Sequence, residues 1–247
     1  MTEIHQIDLT KQSLAAMPGA ERKLLLLLGH ATNEINVFQK LVLISGQGSY
    51  APRLVDHVQA GQTLILMRTL IGKLCEAWDL FKVRFLRERQ LAGLYAPKLN
   101  AEAVTALQSL KRHFGTQSPL MLIRSRFSFH YRDENNLVEQ SFQEIPADEA
   151  WQFYLSNIEG NCFFYASELV VQSGVIKLGD TAPNAAEPFL DATARNFAAL
   201  CDLTIAVSSQ ILPDTQSIGT LELSGLPSLS DLQIPFFVDD TEFKPKG

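Results

Sequence analysis

One short stretch, residues 124–130, contains the side chains whose types and spacing favour chemistry on a phosphate. Histidine is the side chain whose unperturbed pKa lies near neutrality, so His130 is suited to accept and return a proton. A guanidinium is permanently charged and offers a planar fork of donors to phosphate oxygens, so Arg124 and Arg126 are candidate phosphate ligands. These residue types predict acid–base chemistry that needs no metal.

The order Arg124, polar Ser125 and His130 resembles the Arg-polar-(four to six residues)-His signature of the HEPN superfamily. The resemblance covers about ten residues and their helical context. It implies an α-helical bundle that forms a homodimer and cleaves RNA without a metal, as part of a bacterial defence or toxin–antitoxin system. Other members have lost catalysis and act as binding partners. Ser125 departs from the family pattern, in which Asn, Asp or His is more typical, and this bears on activity more than on fold.

Under this resemblance each motif residue has an expected role. His130 is the general acid/base, Arg124 holds the phosphate, and Ser125 completes the catalytic set. Arg126 and Arg132 are expected to contact the RNA substrate. The implied partners are RNA, a second copy of the chain, and an antitoxin or other protein. No cofactor or metal is expected.

Helix geometry leaves the joint role of these residues open. On a continuous α-helix Arg126 and His130 are four apart and share a face, whereas Arg124 lies about 120° away from His130. A site that joins Arg124 to His130 therefore needs the helix to end before His130, or a symmetry-related copy to complete it. The alternative is a non-catalytic helical interaction protein, in which His130 caps helix carbonyls and the arginines lie on a solvated face.

The charge of the chain is unevenly distributed. The net charge is −6. Residues 82–132 hold ten basic and two acidic side chains, net +8, and residues 133–247 hold four basic and eighteen acidic ones, net −14. A basic segment on an acidic protein can attract phosphate groups, since local potential governs the approach of a ligand. Alternatively, the two segments neutralise each other when they pack together.

Apolar periodicity predicts an all-α fold, a bundle of about five to seven helices with an irregular C-terminal tail. One domain is expected over 1–212, followed by a tail over 213–247 that is docked or mobile. Helices are predicted at 21–46, at 53–91 as one helix or two in line, from Asn100 to Gly115, from Ser118 toward His130, at 149–174 and at 188–212. Residues 137–145 are predicted to be extended or irregular, and 174–186 to form a loop.

Other sequence features exclude several classes of protein. The longest unbroken apolar run, Leu24 to Leu28, is far shorter than a membrane span, and no signal-peptide pattern opens the chain, so a cytoplasmic location is expected. Cys75, Cys162 and Cys201 form no Cys-x-x-Cys pair and are predicted to be buried thiols rather than disulfides or zinc ligands. No phosphate-loop, dinucleotide or nucleophile-elbow motif is present.

One further group of polar residues is a weaker candidate. Glu76, Arg68 and Lys73 are predicted to form a charge cluster, or to supply a carboxylate that orients His130. His57 is interpreted as incidental.

Overall fold

The computed structural model describes residues 2–46, 53–115, 118–128, 136–149, 151–156, 160–181, 189–212 and 218–237. Most of this chain is helical, which confirms the predicted all-α fold class. No helix within these ranges is long and apolar enough to cross a membrane.

The described residues form nine α-helices, two π-helical turns, two short 3₁₀-helices and one pair of strands. The helices are α1 (Lys11–Ala16), α2 (Gly19–Ser45), α3 (Arg53–Phe81), α4 (Arg89–Tyr95), α5 (Ala101–His113), α6 (Pro119–Ile123), α7 (Leu137–Glu144), α8 (Tyr165–Thr181) and α9 (Phe189–Ile211). The π-helical turns are Lys82–Leu86 and Arg124–Ser128, the 3₁₀-helices are Ala96–Lys98 and Leu229–Asp231, and the strands are β1 (Thr2–Ile7) and β2 (Ile218–Leu223).

The chain divides into two compact units, each assembled from three separate stretches. The first unit draws on residues 1–36, 73–116 and 190–228, and the second on 37–72, 117–189 and 229–247. The long helices α2 and α3 each contribute to both units. The boundary predicted between residues 212 and 213 stays a prediction, and the division into these two units is a separate finding.

The first unit has an aromatic core. Trp78 stacks on Phe81 and on Phe114, with ring centroids 6.1 and 5.8 Å apart, and Phe81 contacts Phe85 at 4.9 Å. All four side chains are buried. Because Phe114 directly follows α5 and Phe85 lies in the first π-helical turn, this core holds the end of α5 against the end of α3.

The first unit also contains the pair of strands. β1 and β2 are antiparallel, with Thr2 opposite Leu223 and Ile7 opposite Ile218, and every residue of both strands is exposed. Neither strand was predicted, because a pairing of residues more than two hundred positions apart leaves no local signal. β2 lies within the stretch that the sequence predicted to be an irregular tail.

The second unit is held by buried polar and aromatic contacts. The Gln59 amide donates to the carbonyl and to the hydroxyl of Ser45, both at 2.9 Å. Gly61 lies under the ring of Phe163, so that no side chain at position 61 would fit without moving that ring. The Arg68 guanidinium pairs with Glu168 through two contacts, of 2.9 and 3.4 Å.

Three local predictions in the second unit were wrong. Residues 137–144 form helix α7 rather than an extended stretch. The helix predicted at 149–174 is absent over 151–156, which is extended, and the helix α8 begins only at Tyr165. α8 then runs through Gly174 to Thr181, where a loop was predicted.

Candidate functional site

The motif residues lie at the end of a short helix. α6 begins at Pro119, in the first-turn position that its missing N–H allows, and Leu120 and Ile123 are its buried residues. The chain then changes from α-helix to a π-helical turn over Arg124–Ser128. π-helices account for well under 1% of residues in soluble proteins and often occur at functional sites, so this position for one is informative.

Two contacts fix the turn within the second unit. The hydroxyl of Ser128 donates to the carbonyl of Arg68 in α3 at 2.7 Å. The ring of Phe127 lies so close to Gly174 of α8 that a Cβ at position 174 would be 2.6 Å from the ring. Neither contact was predicted, because both depend on residues distant in sequence. They show that the turn is anchored on both of its neighbouring helices.

The predicted site residues are only partly within the described chain. Arg124 and Arg126 are both half-buried in the turn. Ser125 is exposed, and its hydroxyl donates to the carbonyl of Leu122 at 3.0 Å, within its own helix. His130 and Arg132 lie outside the described residues, so their predicted roles and the pairing of Arg124 with His130 stay predictions.

The predicted charge cluster is arranged differently from the expectation. Arg68 pairs with Glu168, and both side chains are largely buried, at 12% and 16% exposure. Lys73 pairs with Glu34 at 2.7 Å, and Glu76 is exposed. Sequence reasoning missed Glu168 because it is one hundred residues from its partner.

We name the π-helical turn Arg124–Ser128 the motif turn. A second π-helical turn, Lys82–Leu86, lies in the first unit and has the same sequence pattern as the motif turn. Each turn reads basic residue, any residue, Arg, Phe, and each directly follows a fully buried apolar residue, Phe81 or Ile123. Both turns also lie within the basic segment, residues 82–132. Phe85, the Phe of the turn Lys82–Leu86, is fully buried, which leaves Arg84 directed away from the core and exposed.

Several basic side chains of the first unit are exposed. Arg84, Arg87 and Arg89 form no ion pair with any side chain that the structure describes, whereas Lys82 is paired with Asp79 at 2.6 Å. Two more exposed cations, Lys111 and Arg112, lie in the last turn of α5. The aromatic core joins this end of α5 to the end of α3. We name these five exposed cations the basic surface: Arg84, Arg87, Arg89, Lys111 and Arg112.

His57 takes part in a polar cluster that sequence reasoning did not identify. Its Nδ1 lies 3.2 Å from Oε1 of Gln152 and 3.4 Å from the hydroxyl of Tyr154, and its ring stacks on Tyr165 at 4.6 Å. The Tyr154 hydroxyl also donates to Gln152. These contacts bind the extended residues 151–156 to α3, and they indicate a structural role for His57.

The three cysteines differ in their burial. Burial, with a smaller effect of Asp202, raises the pKa of the Cys201 thiol to about 11, so it stays protonated at neutral pH. Cys75 is buried, Cys201 is half-buried and Cys162 is exposed, so burial was predicted correctly only for the first. Among the described residues no group of three or more His, Cys, Asp and Glu is placed to hold a metal ion.

Comparison with known proteins gives no relative: no family model, curated protein or solved structure matches this chain.

Proposed function

We propose that this chain is a HEPN-like, metal-independent endoribonuclease of a bacterial defence or toxin–antitoxin system, acting in the cytoplasm. In this proposal His130 removes the proton of a ribose 2′-hydroxyl, whose oxygen attacks the neighbouring phosphorus. The bond to the 5′-oxygen breaks and that oxygen takes up a proton, which leaves a cyclic phosphate and a 5′-hydroxyl. Arg124 stabilises the negative charge on the phosphate oxygens.

One observation carries the proposal. Both π-helical turns that the structure describes fall in the basic segment, and one of them coincides with the Arg124, Ser125 and Arg126 motif. Since π-helical turns are rare and concentrate at functional sites, this coincidence favours a functional role for the motif over a solvated helix face.

The basic surface supports RNA as the substrate. Its arginines at positions 84, 87 and 89 are exposed and lack partner carboxylates within the described chain, which argues against complete neutralisation by the acidic C-terminal half. Exposed cations without a partner carboxylate are the groups that exchange counterions for phosphates when RNA binds. In the proposal this surface attracts RNA through its positive charge. Arg126 and Arg132 contact the RNA near the point of cleavage.

The decisive experiment is cleavage of a mixed RNA substrate in EDTA by the purified protein and by His130→Ala and Arg124→Ala variants. We expect His130→Ala to lower the rate by about 10²–10⁴-fold and Arg124→Ala by about 10²–10³-fold. His30→Ala, which removes an exposed histidine from α2, is the matched control and should cleave like the wild type. All variants should melt within a few degrees of one another.

RNA binding provides an independent measurement. The slope of the logarithm of the association constant against the logarithm of salt concentration is negative. Replacing Arg84, Arg87 and Arg89 together by Ala should make this slope shallower by about 0.7 for each phosphate that the variant no longer neutralises. The exposed Lys23 of α2 serves as a control, since Lys23→Ala removes a charge outside the basic surface. An unchanged slope in the triple variant would remove the basic surface from the proposal.

A non-catalytic interaction protein is the second candidate. It is favoured by the hydroxyl of Ser125, which donates to the carbonyl of Leu122 in its own helix, and by exposed aromatic side chains in the second unit. Absence of cleavage by the wild type, together with a large fall in the melting temperature of His130→Ala, would make His130 structural and establish this candidate instead.

A further inference from the structure

The extended residues 151–156 form the outer strand of a short β-bridge in the second unit. The N–H and the carbonyl of Tyr154 bond to the carbonyl and the N–H of Phe163, both at 2.8 Å. The carbonyl of Gln152 accepts from the N–H of Ala166 at 3.0 Å. Gln152 and Tyr154 therefore direct their backbone groups toward the rest of the unit, and their side chains contact His57 on its inner face.

The intervening residues present the opposite edge. In an antiparallel pair, the neighbours of a hydrogen-bonded residue direct their N–H and carbonyl groups away from the partner strand. Those groups of Trp151, Phe153 and Leu155 form no hydrogen bond with any residue that the structure describes. The three side chains lie on the outer face of the strand, at 40%, 57% and 76% exposure.

This edge is apolar and uncharged. Residues 151–156 contain no charged residue and no proline. Natural proteins usually protect an exposed edge with lysine, proline or a bulge, because an unprotected edge is a template for another strand. Phe142 and Phe164, also exposed, extend the apolar surface by contacting Trp151 and Phe153 at 5.1 and 5.8 Å. Aromatic residues concentrated in this way are typical of protein interfaces.

We propose that the edge of residues 151–156 pairs with the same edge of a second copy of this chain. The two strands run antiparallel about a two-fold axis that passes beside Phe153. Phe153 then lies opposite Phe153 of the partner subunit, and Trp151 lies opposite Leu155 of the partner subunit. The outward N–H and carbonyl groups bond across the axis.

The strand itself favours a second copy over an unrelated strand. Its outward residues, Trp151, Phe153 and Leu155, are all apolar, so an antiparallel register centred on Phe153 sets an apolar side chain opposite an apolar side chain at every outward position, as an isologous two-fold interface requires. Each chain carries a net charge of −6, yet no charged residue in 151–156 opposes the approach of the two strands. Cross-strand pairs of aromatic and aliphatic residues stabilise such a register.

The test measures mass in solution by sedimentation and light scattering. The wild type should weigh about twice 27.5 kDa at micromolar concentration. Phe153→Lys and Phe153→Glu should each be monomeric, because each places two like charges directly opposite one another across the axis. An equimolar mixture of the two variants should recover the dimer, since only the mixed pair brings opposite charges together. Recovery by mixing is specific to a second copy.

Two controls keep the test decisive. Ile205→Lys introduces the same charge at a similarly exposed apolar residue of α9, at 66% exposure, and should leave the dimer unchanged. Leu155→Lys replaces Phe153→Lys if the latter does not fold, and it should weaken the dimer, because it buries a charge in the apolar contact with Trp151 of the partner subunit. A monomeric wild type, a dimer that survives Phe153→Lys, or a mixture that stays monomeric would each overturn the proposal. The inference is independent of the nuclease proposal, because mass rather than cleavage is measured.

Discussion

Gly174→Ala sets two opposing effects against each other in helix α8. Alanine is favoured over glycine in a helix interior by about 0.8–1.0 kcal/mol, so helix propensity alone predicts a more stable protein. However, the added Cβ would lie 2.6 Å from Cζ of Phe127 and 2.8 Å from Oγ of Ser141. Both contacts are shorter than real Cβ contacts, so one of these side chains must move.

The steric effect should be larger than the propensity effect. Overpacking a well-packed interior costs about 1–3 kcal/mol. Ser141 is fully buried and cannot move outward, and Phe127 belongs to the motif turn that Ser128 ties to α3. The gain from propensity offsets only part of this cost. We therefore expect a net loss of up to about 2 kcal/mol, which lowers the melting temperature by up to about 8 °C.

Thermal melts of three variants measure the balance. Gly29→Ala is the matched control, because Gly29 is also inside a helix but has open space around its Cβ position, and this variant should melt about 2–4 °C higher than the wild type. Adding Phe127→Leu to Gly174→Ala should recover part of the loss, since the shorter side chain vacates the contact. A Gly174→Ala protein more stable than the wild type would refute the assignment of Gly174 to close packing.

The raised pKa values of Cys201 and Tyr95 allow two further predictions. At pH 8 iodoacetamide should modify the exposed Cys162 first and the buried Cys75 last. A pKa of about 11 in place of 9.0 reduces the thiolate fraction of Cys201 about a hundredfold, so Cys201 should react more slowly than Cys162. Equal rates for these two cysteines in intact-mass kinetics would contradict the raised pKa. Burial, aided by the hydrogen bond to Glu21, raises the pKa of Tyr95 to about 12, above an unfolded value near 10. The resulting stability should be complete below pH 10 and be lost as the pH rises through about 12, and urea titrations of Tyr95→Phe should lack this loss.

The elements that sequence reasoning predicted correctly carry their signals locally. α2, α3 and α9 are long, and their apolar stripes are the buried residues that pack each core. The start of α5 follows from Asn100, whose side chain accepts from the N–H of Ala103 at 2.9 Å, as expected of an N-cap. Such signals need no information from distant parts of the chain.

The errors occurred where distant residues decide the local structure. Trp151, Tyr154 and Leu155 have helical spacing, yet Trp151, Phe153 and Leu155 equally have the alternation of a strand. The strand form prevails because it turns Gln152 and Tyr154 onto the face where His57 lies, about one hundred residues earlier in the chain. Periodicity alone could not distinguish the two forms.

Gly174 illustrates the same limit for a single residue. Glycine commonly ends helices because it tolerates a left-handed conformation, and a loop was predicted to begin at Gly174. In the structure α8 continues through it, and the missing side chain instead makes room for Phe127. The two uses of glycine are indistinguishable without knowledge of the neighbouring element.

The candidate site combines a local signal with a tertiary one. Residue types alone identified Arg124 and Arg126, but the close contact of Phe127 with Gly174 and the bond from Ser128 to Arg68 determine where those arginines lie. A side chain that displaced Phe127 would therefore change the position of both guanidinium groups without removing either charge. If the nuclease proposal is correct, Gly174→Ala should lower the rate of RNA cleavage at temperatures where the protein remains folded, whereas a variant of equal stability loss in the first unit should not.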